Sequence, residues 1–345
     1  MITAIRTIII AIFFASGANA STITEQFTSY IAFGDSLTDD GKFGALFPPS
    51  LDGRFSNGPA YSEQIADIFN AAGRDTANLA LGGATAGDFN PGFDTPLETF
   101  NQQIDLFAAS ALGGAPLLTK LLPDVQFRPP IVTGNNPLLS VFFGANDLAV
   151  GVDPVTAANA VTNGILKLAT LDRTFDDFLV FDLPDLGTTP AALLTGTSAE
   201  QSAIANIFNN QLSENLDELP ALGLNIIRFD TSSVFDQIAV DIANGSPLFG
   251  ITDPVTPCTI RMSAALDPNP INPGSCLDLG IDPNTLLFAD SVHPNAIVQS
   301  LVASQVVTAL EDSITPVPLP ASAPLLLAGF GLFGLVARRK SVRTV

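Results

Sequence analysis

Residues 31–41 read Ile31-Ala32-Phe33-Gly34-Asp35-Ser36-Leu37-Thr38-Asp39-Asp40-Gly41. An apolar run stops at a glycine, and a serine follows between small and acidic neighbours. The run has the make-up of a buried strand, and glycine is the residue that most readily lets a chain turn. A serine held on a turn at the C-terminal edge of a strand is where an α/β enzyme places a nucleophile. The same residues also suit a plain turn that caps a helix. The choice between these readings depends on whether the chain supplies the partners that a serine nucleophile needs.

Outward from this turn, short apolar strands are expected at 30–33, 76–79, 138–143, 178–181 and 225–229. They alternate with helical segments at 60–72, 154–169, 198–219, 232–243 and 294–312. Ser198 is a cap candidate for the third of these helices, and Pro220 marks its end. Strand–helix alternation argues an α/β fold, with a central parallel sheet covered by helices on both faces. Two stretches break the alternation. Residues 84–130 are rich in Gly, Pro and Phe, and residues 244–286 in Pro, Asn and Asp. Long loops in a compact domain tend to be binding loops or lids. The Asn and Asp density of 266–284 lacks the spacing of an EF-hand calcium loop, so turn chemistry explains it better.

A serine is a weak nucleophile at neutral pH and needs a base. The chain has one histidine, His293, in Leu287-Phe288-Ala289-Asp290-Ser291-Val292-His293-Pro294. Asp290 precedes it by three residues. On a turn entering a helix, that spacing can fold the carboxylate back onto imidazole Nδ1, with Pro294 in the first helical turn. Ester chemistry also needs donors for a developing oxyanion. The glycines of Asn78-Leu79-Ala80-Leu81-Gly82-Gly83-Ala84-Thr85 follow a strand and let backbone approach a substrate. Asn146, in Phe143-Gly144-Ala145-Asn146-Asp147, follows another strand and offers a neutral side-chain donor. Taken singly, a Gly-Gly turn is common and an Asn-Asp pair often caps a helix.

Together and in this order, the four segments resemble the GDSL family of SGNH hydrolases, over most of residues 27–312. Gly53-Arg54-Phe55-Ser56-Asn57-Gly58, Leu183-Pro184-Asp185-Leu186-Gly187 and Phe208-Asn209 resemble the longer lipase-type branch, shared with plant GDSL esterases and bacterial phospholipase/acyltransferases. The resemblance implies a three-layer α/β/α flavodoxin-like fold with strand order 2-1-3-4-5. It implies Ser36 as nucleophile, His293 as base and Asp290 as its orienter. It also implies an oxyanion hole from the Ser36 N–H, the Gly83 N–H and the Asn146 amide. No cofactor and no metal is implied.

The chain has 345 residues, 47% hydrophobic, with a net charge of -20. Five of its fourteen basic residues (Arg6, Arg338, Arg339, Lys340 and Arg343) lie in the end segments, and all 34 acidic residues lie between them. So acidic a middle excludes nucleic acid as a partner and repels anionic membranes. Arg6, the apolar run 8–15 and Ala18-Asn19-Ala20 read as a signal peptide over 1–20. At the other end, Val317-Pro318-Leu319-Pro320-Ala321, an apolar run and Arg338-Arg339-Lys340 resemble a PEP-type C-terminal sorting signal. Residues 316–345 are thus expected to hold a short transmembrane helix with a basic stop, and to be cut by a membrane sorting protease. The resemblance implies export to the surface or matrix of a Gram-negative bacterium. The hydrolase domain is expected over 21–315. In an exported chain, Cys258 and Cys276 form one disulfide, and the chain-entropy model gives a loop of this length about 3 kcal/mol.

Three substrate readings compete. A lipase or phospholipase could use 84–130 as a lid, with Phe89, Phe93, Phe100 and Phe107, and Leu112, Leu117, Leu118 and Leu121, as an acyl groove. The same residues could instead complete the core. A carbohydrate esterase could remove small acyl groups from polysaccharide. A non-catalytic surface or adhesion module could keep the fold without needing Ser, Asn and His together.

Overall fold

The computed structural model describes residues 22–314, apart from residues 43, 45, 89–97, 112–131, 246–247 and 263–273. Ile23–Ser313 form one compact unit. The segments expected as signal peptide and sorting tail lie outside the described residues. Among the described residues, no helix is long and apolar enough to cross a membrane.

Five parallel strands form the central sheet: β1 (Ser29–Gly34), β2 (Asp75–Asn78), β3 (Pro137–Phe142), β4 (Asp177–Phe181) and β5 (Asn225–Phe229). Their order is β2-β1-β3-β4-β5. The most buried strands, β1, β3 and β4, are central, as expected for a parallel sheet covered on both faces. Side chains alternate across β1 accordingly. Tyr30 stacks on Phe69 of one flanking helix at 5.7 Å. Phe33 points the other way, meeting Phe100 at 5.7 Å and Phe107 at 5.5 Å.

Helices α1 (Ile23–Gln26), α2 (Tyr61–Ala71), α3 (Phe100–Ala111), α4 (Ala145–Ala149), α5 (Pro154–Leu171), α6 (Pro190–Thr195), α7 (Ser198–Glu218), α8 (Ser232–Ala243) and α9 (Ala296–Ser313) complete the described chain. Helices α2, α8 and α9 cover one face of the sheet, and α3, α5 and α7 the other. Local signals set the ends. Asp153 accepts the Thr156 N–H at 3.0 Å before Pro154 opens α5, the arrangement of a capped helix with proline at N1. Ser198 opens α7 as a helical residue, not as its cap; Thr197 holds that position. Pro294 lies before α9, and the cap function passes to Asn295, whose side chain accepts the Val298 N–H at 3.0 Å.

Helices α1, α3, α4 and α6 were not among the expected segments, and neither was a second small sheet. Within 244–286, β6 (Asp253–Pro257) pairs in parallel with β7 (Leu286–Phe288). Pro254 and Pro257 hide this strand, because proline removes a ladder donor and is tolerated only at a sheet's margin. The Cys258–Cys276 disulfide sits beside this ribbon. Cys258 N–H donates to Phe288 O at 3.1 Å, and Thr259 N–H to Ala289 O at 3.2 Å. The bridged loop therefore braces the strand that leads directly into Asp290 and His293.

Candidate active site

Strand β1 ends at Gly34, and the chain turns at once. Thr38 and Asp39 N–H both donate to Asp35 O, at 3.0 and 2.9 Å, so one helical turn presents Ser36 at the C-terminal edge of the sheet. Gly34 must be glycine on steric grounds, since a Cβ there would lie 2.5 Å from Thr38 Oγ1.

His293 reaches this turn from the far end of the chain. Its Nε2 lies 2.7 Å from Ser36 Oγ. Its Nδ1 lies 2.9 Å from both Asp290 carboxylate oxygens. Asp290 is fixed in turn by the Val292 and His293 N–H groups, at 2.9 and 2.7 Å. Phe55 packs against the imidazole with ring centroids 4.9 Å apart. Asn57, two residues on, accepts the Ala296 N–H at 2.8 Å and ties the 53–58 segment to the start of α9.

The charges follow from this packing. Burial favours a neutral Asp290, but the His293 charge and three hydrogen bonds outweigh it and hold the carboxyl below its ordinary range. Burial likewise works against a charged His293. The Asp290 charge and hydrogen bond, with a smaller contribution from Asp35, reverse that and raise its pKa above the ordinary histidine value. A carboxylate beside an imidazole stabilises the imidazolium in this way.

The segments that carry the two further oxyanion candidates are linked to each other. Asn146 begins α4 and donates one amide hydrogen to Ala84 O at 3.0 Å. A primary amide carries two N–H donors, so the second is left to point elsewhere. Gly83 sits at φ +84°, a conformation that glycine adopts without strain. Its neighbours are pinned by buried acids whose role the sequence did not reveal. Asp39 Oδ2 accepts the Gly82 N–H at 2.7 Å. Asp147 accepts the Ala86 and Gly87 N–H groups at 2.8 and 2.9 Å. The first and third motifs thus hold the second in place.

Gln103 is a further residue without a sequence signal. It is buried on α3 within the Phe-rich stretch. Its amide accepts the Gly34 N–H at 3.0 Å and donates to Gly34 O at 2.8 Å. Both backbone groups of the residue two before Ser36 are thereby fixed by one side chain. Only its place on the inner face of α3, with Phe100 and Phe107, could have hinted at such a contact.

A cavity of about 370 Å³ opens beside Ser36, Asn146 and His293. Residues 184–197 contribute the largest share of its walls, and Val298, Gln299 and Val302 of α9 contribute another part. None of the described residues of 84–130 lines it. Phe100 and Phe107 are fully buried in the core, because Phe33 and Phe143 offer them aromatic partners at 4.7 to 5.7 Å. Phe89, Phe93, Leu112, Leu117, Leu118 and Leu121 lie outside the described residues. Among the described residues, no cluster of His, Cys, Asp and Glu could hold a metal ion.

Residues 30–306 match the model of the GDSL-like lipase/acylhydrolase family. The chain belongs to this family. It is therefore a hydrolase acting on ester bonds. Residues 316–340 match the PEP-CTERM protein-sorting motif. Among curated relatives, the chain is 27% identical to a phosphatidylcholine-sterol acyltransferase of Aeromonas hydrophila, covering 83% of this chain and 91% of that one. It is 24% identical to a GDSL esterase/lipase of Arabidopsis thaliana, covering 86% and 92%. It spans less than half of the esterase EstA of Pseudomonas aeruginosa, at 25% identity and 46% of that protein's length. Among solved structures, it is similar to a carbohydrate acetylesterase of Sinorhizobium meliloti, with 13% identity, a TM-score of 0.47, and coverage of 83% and 99%.

Proposed function

We propose that this GDSL hydrolase is an exported serine esterase or lipase that works through an acyl-enzyme on Ser36. The carrying observation is the relay Asp290–His293–Ser36, hydrogen-bonded at 2.9 and 2.7 Å across 257 residues of sequence. Ser36 Oγ attacks the ester carbonyl and transfers its proton to His293 Nε2. The Ser36 N–H, the Gly83 N–H and the second Asn146 amide hydrogen stabilise the tetrahedral oxyanion. The ester C–O bond then breaks, and His293 passes the proton to the departing alcohol oxygen. Water, deprotonated by the same imidazole, attacks the acyl-enzyme and releases the acid. Asp290 fixes the tautomer throughout.

A pure binding module is a poorer reading, since binding needs no histidine aligned on a serine. Transfer of the acyl group to an alcohol instead of water uses the same acyl-enzyme. The acyltransferase relative, matched over 91% of its length, makes this the second reading, and product analysis with an added alcohol separates the two. The chain's ends fit removal of residues 1–20 on export, a hydrolase domain over 21–315, and a tail over 316–345 that is held in the inner membrane and cut by a sorting protease. Mass spectrometry of the exported protein reads both new termini.

Ester turnover tests the relay. Ser36→Ala and His293→Ala are each expected to lower kcat for a p-nitrophenyl ester by on the order of 10⁴ or more, with folding retained. Asn146→Ala is expected to cost about 10²–10³ in kcat. Full activity in purified Ser36→Ala removes this mechanism.

A further inference from the structure

We infer that the cavity beside Ser36 is an acyl-chain pocket built for a medium-length or longer fatty acyl group, so that the preferred substrates are fatty acyl esters and not acetyl esters. The inference rests on the Ser36 reading and deepens it.

The walls are apolar. Ala192 of α6, Phe235 of α8, Phe288 of β7, and Val298 and Val302 of α9 all face the cavity. Several polar residues among its lining are already engaged within the protein. Thr188, Thr189 and Thr195 donate their hydroxyls to Asp185 O, Leu186 O and Ala191 O, each at 2.8 Å. Tyr61 pairs its hydroxyl with Thr38 Oγ1 at 3.0 Å. Threonines bonded back to their own turn present methyl groups. A sugar in this space would lose water without gaining matching partners, which is costly for each hydroxyl. A hydrocarbon chain meets no such penalty.

The cavity also has the form that the acyl half requires. It reaches Tyr61, Phe142 and Val298, which are 1%, 2% and 1% exposed, so its inner end is bounded by core side chains. The leaving alcohol must escape while the acyl group is still bonded to Ser36, and water must then enter. An enclosed space therefore suits the half that stays bonded. Its volume of about 370 Å³ lies within the range of small-molecule sites, roughly 300–1,000 Å³. An acetyl group would leave most of it empty.

Helix α6 makes the pocket. Thr189 caps it, Pro190 starts it, and Gly196 ends it in the left-handed conformation. This short helix turns Ala191 and Ala192 inward, where larger side chains would fill the space.

The test varies the acyl chain while the alcohol stays fixed, using p-nitrophenyl acetate, octanoate and laurate with the full-length protein. Wild type is expected to give kcat/KM for octanoate at least about tenfold above acetate, the size of effect that apolar pocket contacts produce. Ala192→Phe, which fills the pocket, is expected to lower the octanoate-to-acetate ratio by about tenfold. Phe235→Ala, which removes bulk from a half-buried side chain and leaves α6 alone, is expected to shift preference from octanoate toward laurate. The proposal is overturned if acetate is preferred, or if Phe235→Ala leaves the chain-length profile unchanged. If Ser36→Ala is inactive in that case, only the pocket falls. Octanoate turnover that survives Ser36→Ala overturns both the mechanism and the pocket.

Discussion

Residues 98–111 and residues 184–197 both follow strands of the central sheet, and they serve the site in opposite ways. The first segment is large and aromatic. It packs Phe100 and Phe107 into the core, and it reaches Ser36 only indirectly, through the Gln103 clamp on Gly34. The second is small and capped. It encloses open space beside the nucleophile and turns its bulk outward, with Leu194 74% exposed. Large apolar side chains with aromatic partners close space. Small ones on a short helix held by its caps keep it open. Phe residues with aromatic partners, such as Phe100 and Phe107, are thus a poor sign of a groove, and a short capped helix of small residues is a better sign of open space.

The contrast breaks most readily at Phe100. Phe100→Ala is expected to cost about 3–5 kcal/mol of stability, as for other fully buried aromatics. Leu194→Ala is expected to stay within about 0.5 kcal/mol. Chemical denaturation measures both. Similar losses at the two sites would show that 98–111 is no more part of the core than α6.

Gln103 sharpens the comparison next. Gln103→Leu leaves the buried Gly34 N–H without its side-chain acceptor, at about 1–3 kcal/mol, while Gly34 O keeps the Leu81 N–H at 3.1 Å. If the clamp positions the Ser36 turn, kcat falls with little change in KM. A merely structural role would lower Tm and leave the active fraction with normal kcat. Gln103→Glu gives a readout that structure alone does not. An ionised carboxylate cannot donate to Gly34 O, but a protonated one can both donate and accept. The ratio of variant to wild-type activity should therefore rise as pH falls. A flat ratio counts against the clamp.

The sheet was readable because each strand is a short apolar run between turn signals. All five expected strands and all five expected helices appear with their ends displaced by no more than two residues. The Ser36–His293–Asp290 cluster was also readable, because a single histidine left little choice of base and Asp290 lay within its turn. What was missed depends on contacts that sequence periodicity does not carry. Asp39 and Asp147 read as turn or cap residues, yet each reaches across to hold the 82–87 backbone. Gln103 lies in a stretch read as a long loop, and its partner is 69 residues away. Phe100 and Phe107 were expected in a groove and lie in the core, because hydrophobicity marks apolar residues without saying whether they meet a partner or a void.

The smallest expected effect concerns Asp35, which lines the cavity. Burial pushes its carboxyl up to about 7, and the nearby Asp147 charge adds to this against the opposing Leu37 N–H and His293. Asp35 in turn helps to raise His293. The imidazole acts as a base only when neutral, so activity appears as pH rises through the raised His293 value and is lost below it. Removing Asp35 lowers that value, and Asp35→Asn should move the acidic limb of kcat/KM to lower pH. The displacement is small because Asp35 is the smallest of the causes that raise His293. Stability carries the same sign in another form. A folded pKa raised to about 7 from an unfolded value of about 3.9 gives stability that is present at low pH and lost as pH rises toward 7. Asp35→Asn removes that loss and keeps an oxygen for the Leu37 N–H. The variant should gain Tm over wild type at pH about 8 and not at pH about 4. An equal difference at both pH values would mean that Asp35 is charged throughout, held so by His293, and that the cavity floor is more polar than its lining suggests.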